Sequence, residues 1–107
     1  MGDVSMEEPL DALLKALQSY HPQRVILFGS VARGEADAES DLDVLVIKDT
    51  TEPFVHRLET MAHLCPAGVH ADIFVYTPEE LKQMLADGNP FIIQALQEGK
   101  VIYEAKP

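Results

Sequence analysis

The chain has 107 residues, 47% of them apolar, with 18 acidic against 8 basic side chains and a formal net charge of −10. That length supports one buried core and not two, so a single domain over residues 1–107 is expected. The acidic balance, with scattered bases and no aromatic–basic interleaving, argues against a nucleic-acid partner, and no apolar run approaches the roughly 20 residues that cross a bilayer.

In chain order, MGDVSM nearly matches a myristoylation signal but carries Met6 where Ser or Thr is needed. With no basic-then-apolar leader pattern either, no membrane partner and a cytoplasmic location are expected. EEPLDALLKALQSY spaces Leu10, Leu13, Leu14 and Leu17 as one face of a helix, with Glu7 and Glu8 suited to its N-terminus. RVILF is short, wholly apolar and rich in β-branched residues, hence a buried strand. Gly29 makes a tight turn into a short helical stretch from Ser30 to about Arg33, stopped by Gly34, and EADAES is a solvated loop.

LDVLVIK reads as a second buried strand. EPFVHRLETMAHLC places Phe54, Leu58, Met61 and Leu64 or Cys65 on one helical face. Cys65, the only cysteine, excludes an intramolecular disulfide and a cysteine zinc cage, and reads as a structural thiol. GVHADIFVYT is a third strand. PEELKQML follows Thr77 as cap, with Pro78 at the first helical position and Glu80 three residues after the cap. NPFIIQALQEG repeats that pattern from Asn89 and Pro90 to Gly99, and KVIYE closes with a short strand. Helices alternating with apolar strands predict a layered α/β (α+β) domain, with a small mixed central sheet flanked by helices.

Three acids stand out against this frame. Strand side chains alternate in direction, so Asp41 and Asp43 share a face at the exposed entrance of their strand while Leu42 and Val44 take the other. Two carboxylates on one face with no base between them repel unless a cation intervenes, and a hard divalent ion such as Mg²⁺ accepts carboxylate and phosphate oxygens together. Asp72 lies just inside the apolar strand HADIFVY, where an acid is costly to bury unless it is paired or metal-bound. Ser30, after a glycine at a strand-to-helix turn, suits either a phosphate approaching the backbone or an ordinary helix cap.

Together, GSVARGEADAESDLDVLV resembles the nucleotidyltransferase motif of the DNA polymerase beta superfamily: Gly-Ser, then Asp-x-Asp, with a third Asp on a later strand. The longer LFGSVARGEADAESDLDVLV, with Arg33, Gly34 and Ser40 in place, resembles the minimal nucleotidyltransferases of bacteria and archaea, and EGKVIYE resembles the end of that family. The resemblance implies a nucleotidyltransferase-like fold. It also implies that Gly29 and Ser30 hold the β- and γ-phosphates of a nucleoside triphosphate, ATP by expectation. Asp41 and Asp43 would bridge two Mg²⁺ ions, and Asp72 would complete the ion that activates the attacking hydroxyl.

Arg33 either touches a phosphate or pairs with Glu35 or Asp37, and Ser40 fixes the turn before Asp41 through a backbone hydrogen bond. His70 shares the strand face of Asp72 and could orient that carboxylate, whereas His56 and His63 read as packing residues of one helix. Because the resemblance reaches the chain's last residues, the acceptor is expected on another chain or to be small. The minimal subfamily implies a helical HEPN-type toxin encoded nearby. Two functions of different class follow: a nucleotidyltransferase that attaches AMP to its partner as antitoxin, or a non-catalytic antitoxin that neutralises the partner by binding. A small-molecule nucleotidyltransferase working as a homo-oligomer is a third.

Overall fold

The computed structural model describes residues 7–34 and 41–106. The MGDVSM start, the EADAES loop with Ser40, Glu35 and Asp37, and Pro107 lie outside the described residues. The elements run α1 (Glu7–Gln18), β1 (Arg24–Phe28), α2 (Gly29–Ala32), β2 (Leu42–Ile47), α3 (Phe54–Leu64), β3 (Ala71–Tyr76), α4 (Pro78–Ala86), α5 (Pro90–Glu98) and β4 (Lys100–Glu104). The four strands form one mixed sheet in the order β3-β2-β1-β4. β1 pairs antiparallel with both β2 and β4, and β2 pairs parallel with β3. The expected mixed sheet flanked by helices is the observed architecture.

Residue alternation sends the two faces of this sheet to two cores. Leu42, Val44 and Val46 of β2 join Val25, Leu27, Ile73 and Val75, and are covered by Leu13 and Leu17 of α1 and Met61 of α3. Leu45 and Ile47 join Ile26 and Phe28 on the opposite face, covered by Ile92 and Ala95 of α5, with Leu81 and Met84 of α4 partly buried against them. Coverage on both faces explains why β1 and β2 are continuous apolar runs rather than alternating ones. Gly99, at the end of α5, allows close approach to β1: a β-carbon there would sit 2.6 Å from Ile26 Cγ2.

The predicted caps of α4 and α5 are present. Thr77 Oγ1 accepts from the Glu80 N–H at 3.1 Å, and Glu80 Oε1 accepts from the Thr77 N–H at 2.9 Å, closing a reciprocal box. Asn89 Oδ1 accepts from the Ile92 N–H at 3.2 Å. Each such cap contributes about 1 kcal/mol.

α3 departs from its periodicity. Phe54 and Leu58 are 36% and 43% exposed, while Arg57 is buried beside Met61. Arg57 replaces the expected apolar contact because each of its three guanidinium nitrogens donates a hydrogen bond. Nε donates to the Glu52 carbonyl at 2.7 Å, Nη1 to the Val75 carbonyl at 3.2 Å, and the fork spans Glu80 at 2.6 and 3.2 Å. A charge removed from water is tolerated only when paired and hydrogen-bonded in this way. One guanidinium thereby ties the start of α3, the edge strand β3 and the cap of α4.

Arg57→Ala is therefore expected to cost about 2–3 kcal/mol, less than the loss of one partner from a fully buried pair, because the Glu80 side chain keeps 41% of its exposure. The hydrogen bond from Arg57 is the main cause holding Glu80 below the ordinary carboxylate value. Stability from a lowered carboxylate is fully present above that ordinary value, 4.5, and is lost as pH falls through the lower folded value. In thermal melts the deficit of Glu80→Gln should therefore shrink below about pH 4.5. A deficit constant with pH would show that shape, not charge, carries the contact.

Candidate active site

The register of the sheet builds the site. Phe28 of β1 is the partner of Asp43 in β2, and Asp43 is the partner of Asp72 in β3. These residues form a row across three strands, where β1 ends and β2 and β3 begin. Directly opposed strand residues have β-carbons roughly 4.5–5.5 Å apart on the same face. Asp41, two residues before Asp43, stands exposed at the strand entrance; Asp72 is exposed and Asp43 half-buried.

The electrostatics follow from this crowding. Asp43 is pushed above the ordinary aspartate value first by burial, then by the charges of Asp72 and Asp41, with Arg33 opposing the rise. Three acids and one guanidinium therefore act on one another at one edge of the fold.

Gly29 completes the row from the β1 side. Its φ of 76° is a left-handed value that a side chain disfavours. A β-carbon there would collide with the Asp43 carboxylate. The backbone of the turn thus lies directly on the acid, in a cradle that any other residue would fill. α2 starts at Gly29 with Phe28 as its N-cap residue, and no side chain caps it among the described residues. Ser30 is therefore not the helix cap; it is half-buried in the first turn of α2, beside Gly29.

Arg33, at the end of α2, donates from Nη1 to Glu98 Oε2 at 3.1 Å. Glu98 is a partner that local sequence does not suggest, since it stands 65 positions away on α5. The His70 carbonyl accepts from the Leu42 N–H at 3.0 Å, and among the described residues its exposed ring makes no hydrogen bond to Asp72. Cys65 is half-buried with its thiol pushed up by burial, and Sγ donates to the Val69 carbonyl at 3.4 Å.

Among the described residues, no three His, Cys, Asp or Glu side chains are drawn together into a group that could itself hold a metal ion. The donors are an adjacent carboxylate pair with a third acid beside it. That set fits Mg²⁺, which is typically bound by one or two carboxylates plus substrate phosphate oxygens rather than by an all-protein cage. At Gly29 the bare backbone approaches the Asp43 carboxylate where a β-carbon would collide with it.

Sequence reading also missed the aromatic surroundings of the row. Phe28, Phe74 and Phe91 pack edge to face or tilted, with ring centroids 5.4–6.5 Å apart. The available signals were the position of Phe28 directly before Gly29 and of Phe74 two residues after Asp72, on the same strand face.

Asp43→Asn removes the crowded charge, and without metal it is expected to stabilise the protein by ~0.5–1 kcal/mol. Because the raised carboxylate favours the protonated folded form, the wild type should recover this difference as pH falls below the folded value of Asp43. Gly29→Ala should lose about 1–2 kcal/mol from its backbone angle alone, and more from displacing Asp43. Chemical denaturation of the three proteins checks both signs.

The comparisons with known proteins agree with this fold. The family model described as polymerase beta, nucleotidyltransferase matches residues 11–107. A relative from Methanocaldococcus jannaschii, named as a candidate protein adenylyltransferase, is 33% identical over 100 residues, covering 91% of this chain and 97% of the relative. The crystal structure of a candidate nucleotidyltransferase from Sulfolobus solfataricus superposes with a TM-score of 0.61 at 17% identity, covering 97% of this chain and 90% of that one. A chain from a toxin–antitoxin crystal structure with AMP-PNP superposes with a TM-score of 0.56 at 19% identity, covering 90% of this chain and 73% of that one. This chain belongs to the polymerase beta nucleotidyltransferase family and is a nucleotidyltransferase.

Proposed function

We propose that the protein transfers AMP from ATP to a hydroxyl of a partner protein, acting in the cytoplasm as the antitoxin of a helical HEPN-type toxin. The observation that carries this reading is the opposed pair Asp43–Asp72 with the Gly29 backbone seated on Asp43. The adenylyltransferase name of the M. jannaschii relative supports the reaction class, and the neighbour solved as a toxin–antitoxin with AMP-PNP supports both nucleotide and partner.

In this reading Asp41, Asp43 and Asp72 would hold two Mg²⁺ ions. When bound, such ions lower the pKa of an attacking hydroxyl and neutralise a departing pyrophosphate. The chain's own residues do the positioning. Gly29 and Ser30 receive the β- and γ-phosphates against the backbone of the turn, and Arg33 neutralises phosphate charge, while Ser40 lies outside the described residues. The acceptor oxygen forms a bond to the α-phosphorus, the bond from that phosphorus to the β-bridging oxygen breaks, pyrophosphate leaves, and the hydroxyl proton passes to solvent. Placing acceptor and phosphorus in line is worth on the order of 7–11 kcal/mol, so the partner's docking governs the rate.

A second reading, a non-catalytic antitoxin that neutralises by binding, draws on one observation: among the described residues the acids do not close into a metal-holding group. One assay separates the two. The protein is mixed with the product of a neighbouring gene, Mg²⁺ and each triphosphate, and both masses are measured. The partner should gain one AMP with the wild type, and at least about 100-fold less with Asp41→Asn/Asp43→Asn, the scale on which removed transition-state stabilisers act. A partner neutralised without a mass change, and equally by the double mutant, would establish the binding reading instead.

A further inference from the structure

Resting on the proposed triphosphate site, we infer that α5 carries the nucleobase subsite, with Phe91 as its stacking face and Gln94 as the residue that selects adenine. A cavity of about 180 Å³ opens beside the phosphate turn, lined by Phe28, Gly29, Arg33, Phe91, Gln94 and Glu98 among others. Pockets for whole drug-sized ligands run to roughly 300–1,000 Å³, so this one suits a single planar ring system attached to a phosphate chain outside it. Gly29, whose backbone lies on Asp43, is part of its wall, which joins the cavity directly to the carboxylate row.

The lining chemistry is that of a base site. Phe91 is 40% exposed although it is wedged edge to face against Phe28 and Phe74, at 5.6 and 5.4 Å between centroids and interplanar angles of 81° and 72°. Two buttressing rings fix its plane, and an exposed aromatic face held rigid is a stacking platform for a base. Phe91, Gln94 and Glu98 recur at helical spacing, so all three face the cavity from one side of α5. With one Nε2–H given to Glu98, the Gln94 amide keeps one donor and its acceptor oxygen, the pair that meets the amino group and ring nitrogen of adenine in bidentate fashion.

Glu98 links this reader to the phosphate side. One oxygen accepts from Gln94 Nε2 at 3.4 Å and the other from Arg33 Nη1 at 3.1 Å. It thereby acts as a positioning residue between the two halves of the nucleotide.

The test compares binding of Mg²⁺-ATP, Mg²⁺-GTP and Mg²⁺-tripolyphosphate by calorimetry, with folding checked by circular dichroism. Phe91→Leu, which keeps apolar packing against the two remaining rings, should weaken ATP about tenfold and leave tripolyphosphate unchanged. Gln94→Ala, an exposed position, should remove most of the preference for ATP over GTP, whose base presents two adjacent acceptors on the matching edge. Asp43→Asn should weaken all three ligands. Equal loss of ATP and tripolyphosphate in Phe91→Leu, or an ATP preference unmoved in Gln94→Ala, overturns the base subsite while the triphosphate site stands. A wild type that binds no triphosphate at all overturns both.

Discussion

The opposition of Asp43 and Asp72 across a parallel strand pair is the constraint on which the rest of this molecule turns. Parallel pairing of β2 with β3 puts two carboxylates side by side on one face, and antiparallel pairing of β1 with β2 brings the Phe28–Gly29 turn onto the first of them. In a chain of net charge −10 this is electrostatically unfavourable. The crowding is held by what lies behind it: Leu42, Val44, Leu45 and Val46 continue the same strand and are fully buried between two helical layers. Carboxylates that repel one another are thus anchored to a strand whose other side chains are buried.

The charge network around that strand divides into structural and chemical halves. At the far end of the β2–β3 pair, Arg57 meets Glu80 and closes α3, β3 and α4 together, with all three guanidinium nitrogens donating. At the near end, Arg33 meets Glu98 at the surface, where an ion pair contributes little to stability and can exchange partners readily. The first guanidinium holds the fold, and the second lies at the edge of the carboxylate row, where its charge opposes the raised Asp43 carboxyl.

Elements whose information is local were legible in the sequence. The Thr77–Glu80 box, the Asn89 cap and the buried runs of β1 and β2 depend on near neighbours and on residue type. The candidate acids were legible as types and spacings, whereas their row depends on strand register, which periodicity within one strand does not contain. The burial of Arg57 carried no local signal because its partners come from three other segments, and Phe54 and Leu58 were expected on the buried face because their spacing is helical whichever way the helix faces. Glu98 and the Phe28–Phe74–Phe91 cluster were hidden for the same reason, since each contact joins distant parts of the chain.

The most direct measurement of the central claim is paramagnetic broadening of the side-chain carboxylate signals when Mn²⁺ replaces Mg²⁺ in the presence of a non-hydrolysable ATP analogue. Asp41, Asp43 and Asp72 should broaden first and together, along with the Ser30 amide, while exposed acids elsewhere, such as Asp49 and Asp87, stay sharp. Broadening spread evenly over the acidic surface, or confined to acids outside the Asp43–Asp72 row, would contradict it.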